Sequence, residues 1–180
     1  MNSLVWNCRG LNNPRAVQVL RDLILQVRPV IVFLIETISS KVTIERIGRS
    51  MGFTEFFVVE SVGRSGGLAF MWKDMDAVSV LGHSHHHIDL RISSPVGIWR
   101  LTGFYGYPER HRRRQSWNLL RSLSMSNNLP WCCLRDFNDL LSSSEKFGSV
   151  PHPSWLFDRF RKVVIDANLS DLKMFGHRFT

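Results

Sequence analysis

One uninterrupted apolar run constrains the fold of this chain more than any other feature of its sequence, Val30-Ile31-Val32-Phe33-Leu34-Ile35. An extended chain with no polar residue on either face predicts a strand that is covered on both sides. Such a strand belongs to a layered sheet, because a sheet with one solvated face shows alternating polar positions. The run ends directly on Glu36, which places a carboxylate at the carboxyl end of a buried strand.

Two other apolar runs also end on small polar side chains. The first covers residues 3–7 and ends on Asn7, and the second covers residues 131–134 and leads to Asp136 and Asn138. In α/β proteins, active sites are usually assembled at the carboxyl ends of strands. Amide and carboxylate oxygens at three such ends are typical of a metal-dependent phosphoesterase.

The composition indicates a globular protein. With 180 residues, of which 44% are hydrophobic and 21% charged, we expect a single domain over residues 1–180. No apolar stretch approaches the roughly 18 residues of a membrane-spanning helix, and the first residues lack the features of a signal peptide. Three cysteines, Cys8, Cys132 and Cys133, give neither a disulfide framework nor zinc spacing. We therefore expect an intracellular protein, nuclear or cytoplasmic, in which the cysteines are packing residues.

Hydrophobic periodicity predicts mixed strands and helices along the chain. Helices are predicted at 15–27, 39–51, 110–124 and 154–168, with Ser154 as the N-cap of the last one. Strands are predicted at 3–7, 30–35, 53–59, 68–72, 78–82, 88–92, 98–105 and 131–134, and the chain end, 169–180, is predicted to be a turn and the start of a strand. Two mixed sheets packed face to face with helices outside would accommodate this order.

Basic residues are in excess and clustered. Lys and Arg number 23 against 15 Asp and Glu, a net charge of +8, which indicates a polyanionic partner. Arg110, Arg112, Arg113 and Arg114 form one dense run, and Arg100 and Arg121 flank it. Two interpretations stay open at this point: a solvated basic helix face, or a surface that contacts phosphates.

A second string of titratable residues, His85-His86-His87, invites interpretation as a metal cluster. It follows a predicted strand in a turn-like stretch. We therefore interpret it as surface.

Eight short strings, taken in order, resemble the endonuclease/exonuclease/phosphatase superfamily, and most of all the apurinic-type endonuclease domain of plant non-LTR (LINE-type) retrotransposons. They are Trp6-Asn7-Cys8-Arg9-Gly10-Leu11, Ile35-Glu36-Thr37, Gly66-Gly67-Leu68-Ala69, Gly103-Phe104-Tyr105-Gly106, Pro130-Trp131, Asp136-Phe137-Asn138, Glu145-Lys146 and Phe179-Thr180. The resemblance implies a DNase I-like α/β fold, a four-layer sandwich of two mixed β-sheets flanked by helices.

The resemblance also implies roles for five residues. Glu36 matches the family's metal-ligand glutamate, and Asn7 matches the amide beside the metal and the phosphate. Tyr105 matches the tyrosine that contacts the scissile phosphate. Asp136 matches the aspartate that orients or deprotonates the attacking water, and Asn138 matches an amide that holds a phosphate oxygen, on the same side as Asp136 if the backbone is extended. The implied cofactor is Mg²⁺ or Mn²⁺, and the implied partner is double-stranded DNA.

The sequence departs from the family pattern in three respects. Arg135 stands where the family has glycine before Asp-Phe-Asn, and Ser149 and Lys173 stand where glycines are usual. The family continues past the segment that matches Phe179-Thr180 into strands with a late Asp and an Asp-His pair. We therefore expect the fold to lack its C-terminal strands and catalysis to be weak or absent.

Three hypotheses about function follow. The first is a Mg²⁺-dependent DNA endonuclease of retroelement origin. The second is a non-catalytic remnant that binds nucleic acid through the region of Arg110 to Arg114. The third, which the retroelement-like strings disfavour, is a phosphatase of the same fold. Nothing in the sequence indicates a membrane or a protein partner.

Overall fold

A computed structural model of the chain describes residues 2–63, 65–73, 77–145 and 153–172. Five positions singled out above, Lys146, Ser149, Lys173, Phe179 and Thr180, lie outside the described residues, as does most of the predicted final turn and strand. The chain divides into two compact units: unit 1 is Met1–Tyr105 with Leu129–Arg135, and unit 2 is Gly106–Asn128 with Asp136–Thr180. The prediction of one domain over residues 1–180 stays a prediction.

The first sheet of unit 1 has four strands in the order β1-β2-β4-β3. Its strands are β1 (Ser3–Asn7), β2 (Ile31–Ile35), β3 (Glu55–Val59) and β4 (Leu68–Trp72). The first two run parallel with Asn7 opposite Ile35, whereas β4 is antiparallel to both of its neighbours. Because β1 and β2 run in the same direction, Asn7 and Glu36 leave the sheet at the same edge.

The second sheet also has four strands, in the order β5-β6-β7-β8. They are β5 (Ala77–Ser84), β6 (His87–Ser94), β7 (Gly97–Tyr105) and β8 (Trp131–Asp136), the last residue of which belongs to unit 2. The pairs β5–β6 and β6–β7 are antiparallel, with an irregularity between Val80 and Gly82. Tyr105 is the final residue of β7.

The two sheets of unit 1 pack face to face through apolar side chains, and two helices cover the opposite face of the first sheet. Between the sheets lie side chains of β2, β4, β6 and β7, among them Phe33, Phe70, Ile88, Leu90 and Leu101. Helices α1 (Pro14–Val27) and α2 (Lys41–Ser50) bury Leu20, Ile24 and Ile44 against Val32, Leu34, Ala69 and Met71. The alternation along β2 explains why this strand is apolar at every position: each face meets a different layer.

A buried polar cluster lies in the second sheet. Arg100, only 1% exposed, donates through Nε to both carboxylate oxygens of Asp89 at 2.8 Å. Thr102 donates to the same carboxylate at 2.6 Å, and the indole of Trp131 donates to Thr102 at 2.7 Å. The interpretation of Arg100 as a flank of the basic run was therefore wrong, because β7 carries this side chain into the protein.

The described residues of unit 2 form the helices α3 (Arg113–Ser124) and α4 (Ser154–Asp166), and a 3₁₀ turn (Arg110–Arg112) precedes α3. Phe137 packs edge-on against Phe160 of α4, with ring centroids 5.0 Å apart. The prediction of Ser154 as N-cap was wrong by one position. Pro153 occupies the cap, with extended backbone and no capping side chain, and Ser154 is the first helical residue.

The predicted α/β fold with two mixed β-sheets and helices is confirmed, and each sheet has four strands. The bounds of β1 and β4 are as predicted, the other strand and helix boundaries shift by up to three residues, and β5, β6 and β8 are longer than predicted. The surface interpretation of the three histidines was wrong for one of them: His87 opens β6 and is buried, while His85 is exposed in the turn. Within the described residues, no helix combines the length and apolar character needed to cross a membrane.

Candidate functional site

The side chain of Glu36 is held by two donors in unit 1. Asn7 donates through Nδ2 at 3.0 Å, and the hydroxyl of Tyr105 donates at 2.6 Å, both to Oε1. Asn7 comes from the end of β1, Glu36 follows β2, and Tyr105 ends β7, so the cluster joins the two sheets. Three of the five residues singled out in the sequence thus meet around one carboxylate, and neither hydrogen bond occupies its Oε2.

The backbone at Glu36 is left-handed, with a φ of 54°. A non-glycine residue rarely adopts this conformation, and such strain is often found at functional sites. Neighbouring hydrogen bonds hold it in place: Cys8 donates to the carbonyl of Ile35 at 2.9 Å, and Gly10 donates to that of Glu36 at 2.8 Å. The turn after β1 therefore fixes the direction in which the Glu36 side chain leaves the sheet.

A glycine pair supports the residue that follows Glu36. The amide of Thr37 donates to the carbonyl of Gly67 at 3.1 Å, and Gly67 has a φ of +88°. A Cβ at Gly67 would overlap the hydroxyl of Thr37, which is fully buried. Glycine at this position satisfies both the backbone conformation and the close approach, which explains the Gly66-Gly67 string physically.

His86 contacts Tyr105 in a way that sequence reasoning missed. The amide of Tyr105 donates to the carbonyl of His86 at 2.8 Å, and Nδ1 of His86 lies 2.9 Å from the carbonyl oxygen of Tyr105. Their rings are nearly parallel, with centroids 6.2 Å apart. No signal in the sequence pairs these residues, because the contact depends on the register between β6 and β7, in which His87 faces Phe104.

The Asp136–Asn138 segment forms a tight turn in unit 2. Asn138 donates its amide to Oδ1 of Asp136 at 3.1 Å and its Nδ2 to the carbonyl of Gly106 at 2.8 Å. Gly106 in turn donates to the carbonyl of Asp136 at 2.8 Å, and a Cβ on it would overlap the carbonyl of Phe137. Asn138 has a φ of 53°. The placement of Asn138 on the same side as Asp136 was conditional on an extended backbone. That condition is not met, because β8 ends at Asp136 and the chain turns there.

Asp139 follows this turn and anchors it, a contact that sequence reasoning missed. Its carboxylate accepts from Nε1 of Trp117 at 2.8 Å and from Nη1 of Arg113 at 3.2 Å, both on α3. Burial raises the pKa of this carboxyl, although its two donors act in the opposite direction. The carboxylate anchors the turn to α3, and the only sequence signal for it is its place directly after Asn138.

The arginines of the basic run have different surroundings. Arg113 pairs with Asp139, and its side chain is only 16% exposed. The guanidinium carbon of Arg112 lies 3.8 Å from the centre of the Tyr107 ring, and that of Arg110 lies 5.9 Å from the centre of the Trp155 ring. Arg114 is exposed. Phosphate contact by these four arginines stays a prediction.

The donors near Glu36 fit a hard divalent cation. Carboxylate and amide oxygens, as on Glu36 and Asn7, suit Mg²⁺, which takes one or two carboxylates and keeps several waters. Burial raises the pKa of the Cys8 thiol to about 11, and its Sγ lies 3.2 Å from the carbonyl oxygen of Ile35, to which it donates. In the described parts of the chain, no three His, Cys, Asp or Glu side chains converge as a metal-binding group, so protein ligands alone would not fill the coordination sphere.

Comparisons with known proteins agree with this architecture. A model of the Endonuclease/Exonuclease/phosphatase family matches residues 4–178. An AP endonuclease from Archaeoglobus fulgidus is similar at a TM-score of 0.62 and 13% identity, over 91% of this chain and 68% of that one. The endonuclease domain of TRAS1, a telomere-specific non-LTR retrotransposon, is similar at a TM-score of 0.60 and 14% identity, over 92% of this chain and 71% of that one.

A third similar structure is the catalytic domain of human Nocturnin with bound sulfate, at a TM-score of 0.54 and 14% identity, over 76% of this chain and 64% of that one. No curated protein sequence matches the chain significantly. The chain thus spans 64% to 71% of the length of these three structures, and at such low identity the likeness concerns the fold. With its two mixed sheets, its Asn7–Glu36–Tyr105 cluster and a family model that matches almost its whole length, the chain belongs to the endonuclease/exonuclease/phosphatase family.

Proposed function

We propose that this chain is a DNA endonuclease domain of retroelement origin that hydrolyses phosphodiester bonds with Mg²⁺ or Mn²⁺. The observation that carries the proposal is the convergence of two donors, Asn7 and Tyr105, on one carboxylate oxygen of Glu36 at the ends of their strands. The left-handed backbone of Glu36 at this edge also supports the proposal, because strained backbone is often found at functional sites. The fold likeness to the TRAS1 endonuclease domain supports the choice of DNA as the substrate class.

Glu36 and Asn7 are the residues that would hold the metal ion, which supplies charge neutralisation for the phosphate. The hydroxyl of Tyr105 keeps the Glu36 carboxylate in one orientation through its 2.6 Å hydrogen bond. This positioning matters because rotation of the carboxylate would move its oxygens out of the orientation needed toward the metal ion and the phosphate. Tyr105 lies 6% exposed, so its ring is fixed by packing before any substrate binds.

Asp136 and Asn138 would act on the attacking water and the phosphate. Asp136 would take a proton from water, the water oxygen would bond to phosphorus, and the bond from phosphorus to one sugar oxygen would break. That sugar oxygen would take a proton from solvent. Asn138 donates one of its two side-chain N–H groups to the carbonyl of Gly106. Its amide group has a second N–H to offer to a phosphate oxygen.

A second candidate function is nucleic-acid binding without hydrolysis. The net charge of +8 and the exposed arginines of the segment from Arg110 to Arg114 favour it. It predicts salt-dependent binding in the absence of any divalent ion. Hydrolysis and binding are therefore separable by experiment.

Nicking of supercoiled plasmid with Mg²⁺, with Mn²⁺ or with EDTA tests the proposal. We expect metal-dependent nicking that Glu36→Gln and Asp136→Asn each reduce by at least a hundredfold, on the order of the loss typical for catalytic groups. Asp22→Asn is the matched control, because Asp22 is an exposed carboxylate on α1 that accepts a hydrogen bond from Gln18, its neighbour in the same helix. Metal-dependent nicking that survives both substitutions would contradict the assigned roles.

The phosphatase alternative is checked on the same preparation. Release of inorganic phosphate from inositol phosphates, with no nicking of DNA, would replace the endonuclease proposal by a phosphatase. Folded protein with neither activity that still binds DNA would leave the binding function.

A further inference from the structure

A cleft of about 350 Å³ lies between α3 and α4 of unit 2. Four of its six lining residues are cations, and all six come from these two helices: Arg114, Trp117, Asn118, Arg121, Arg159 and Lys162. The catalytic proposal uses none of them, and only Arg114 belongs to the basic run recognised in the sequence.

Helix periodicity explains why the cations face one another. Arg114, Asn118 and Arg121 are spaced by four and three residues on α3, so their side chains share one face of that helix. Arg159 and Lys162 are three residues apart on α4 and also share a face. Packing of α3 against α4 brings the two basic stripes to opposite sides of one cleft.

The charge in the cleft is mostly uncompensated within the described chain. Arg121 donates to Asp166 at 2.9 Å, and among the described residues this is the one ion pair formed by the four cations. The remaining three, Arg114, Arg159 and Lys162, are exposed. Like charges held close together repel one another, and an anion in the cleft relieves that repulsion. The cleft is therefore built to attract negative charge.

An exposed aromatic residue stands beside the cleft. The ring of Trp155 is 49% exposed, and the guanidinium carbon of Arg159 lies 5.1 Å from its centre. Cations that follow a backbone next to an aromatic surface are typical of proteins that bind nucleic-acid strands. This neighbourhood favours a nucleic-acid strand over an isolated small anion.

We propose that the cleft between α3 and α4 binds the phosphates of a nucleic-acid strand through Arg114, Arg121, Arg159 and Lys162. The inference goes beyond the endonuclease proposal, because binding here requires neither hydrolysis nor a metal ion. It also differs from binding through the basic run, since three of the four cations lie outside that run. The cleft holds nucleic acid whether or not Glu36 and Asp136 support cleavage.

Fluorescence anisotropy with a labelled single-stranded oligonucleotide and its duplex, in EDTA, tests this site. The variant Arg159→Glu/Lys162→Glu reverses two cleft charges, and Lys41→Glu/Arg46→Glu on α2 is the control, because it reverses two exposed charges elsewhere. Both variants change the net charge equally. All four positions are exposed on helices, and circular dichroism with thermal unfolding confirms that each variant is folded.

We expect the cleft variant to lose roughly tenfold or more in affinity, and the control to lose much less. The slope of log affinity against log salt, measured between about 50 and 200 mM, should fall by about 1.4 for the single strand when two phosphate contacts are removed. An equal loss in both variants would mean that only net charge matters, and no loss in the cleft variant would mean that the strand binds elsewhere. Either result overturns the proposal.

Inorganic phosphate distinguishes a strand from a free anion. At millimolar concentration and matched ionic strength, we expect it to leave strand binding almost unchanged. Complete displacement of the oligonucleotide would identify the cleft as a site for free phosphate and overturn the strand proposal. Because all measurements are made in EDTA, a failure of nicking does not affect them, and a failure of binding leaves the nicking experiment standing.

Discussion

Tyr105 donates a 2.6 Å hydrogen bond to Oε1 of Glu36, although 69 positions separate the two residues in the sequence. Tyr105 ends a strand of one sheet and Glu36 follows a strand of the other. The orientation of the Glu36 carboxylate therefore depends on how the two sheets of unit 1 pack. Residues that set the distance between the sheets influence the candidate site without touching it.

Tyr105→Phe isolates the contribution of this hydrogen bond, since it keeps the buried ring and removes only the hydroxyl. We expect the free energy of unfolding to fall by about 1 kcal/mol, because Glu36 is half-buried and keeps the hydrogen bond from Asn7. We also expect slower nicking, because the carboxylate loses its positioning donor. Urea denaturation and the plasmid assay measure the two effects. Unchanged nicking in a folded variant would show that the hydroxyl is dispensable.

Gly103→Ala tests the dependence on the distance between the sheets. A Cβ at Gly103 would overlap the ring of Phe33, which is fully buried in the layer between the sheets. Overpacking of a core typically costs about 1–3 kcal/mol, so we expect a loss of stability of this size in thermal unfolding.

Phe33→Leu provides the matched test of that explanation. The smaller side chain makes room for the new methyl group, so the loss in the double variant should be clearly smaller than the sum of the two single losses. Strict additivity would show that Gly103 is needed for some other reason.

The sequence predicted the layers of unit 1 well, because local patterns determine them. An apolar run such as residues 30–35 predicts a strand that is buried on both faces. The spacing of Leu20 and Ile24 predicts an amphipathic helix that packs on one of those faces. The strand-end pattern predicted that Asn7 and Glu36 lie at the same kind of site, whereas the contact of Glu36 with Tyr105 was within reach only through family resemblance. Its physical cause is the meeting of three strand ends, which no local pattern encodes.

Other features depend on register or on chain reversal and were missed for that reason. Arg100 is buried because β6 and β7 align Asp89 opposite Thr102, and charge counting cannot detect such a pairing. The chain turns at the end of β8, so the extended backbone that would place Asn138 on the same side as Asp136 is not present. The contact of His86 with Tyr105 likewise arises from strand pairing.

Arg100→Met tests the buried ion pair of the second sheet. It leaves the carboxylate of Asp89 buried without its cation, and a loss of about 3–5 kcal/mol is expected. Asp89→Leu combined with Arg100→Met removes both charges and should recover most of that stability, because a buried ion pair is often no better than apolar packing. Urea denaturation compares the variants. A double variant as unstable as Arg100→Met would mean that Asp89 and Arg100 stabilise the sheet by separate contacts.

Arg135→Gly tests the departure from the family's glycine. Arg135 does not have a positive φ, so the backbone at this position does not require glycine. If the arginine side chain lowers catalysis by its bulk or its charge beside Asp136, the glycine variant should nick DNA faster than the parent, while its affinity for DNA falls slightly because one cation is lost. A slower variant would show that Arg135 supports the reaction.

We expect the Asp139→Asn variant to differ from the parent in how its free energy of unfolding depends on pH. Burial raises the pKa of Asp139 in the folded chain above its ordinary value of 3.8. Between those two values the folded chain holds more protons than the unfolded chain, so the free energy of unfolding falls as the pH rises through this window. Asparagine does not titrate and lacks this contribution. The exchange of a protonated carboxyl for an amide adds an offset that is nearly independent of pH, because neither group is charged.

The free energy of unfolding of the parent and of the variant is measured by urea denaturation at a series of pH values. Subtracting one curve from the other cancels the contributions of all other carboxylates. We expect the parent to lose stability relative to Asp139→Asn as the pH rises from 3.8 to the raised pKa, and the difference to stay level above it. A difference that grows in favour of the parent would mean that the donors Arg113 and Trp117 outweigh burial, and that the pKa of Asp139 is lowered. Since this carboxylate anchors the turn that carries Asp136 and Asn138, the sign of that difference also decides whether acid tightens or loosens the turn.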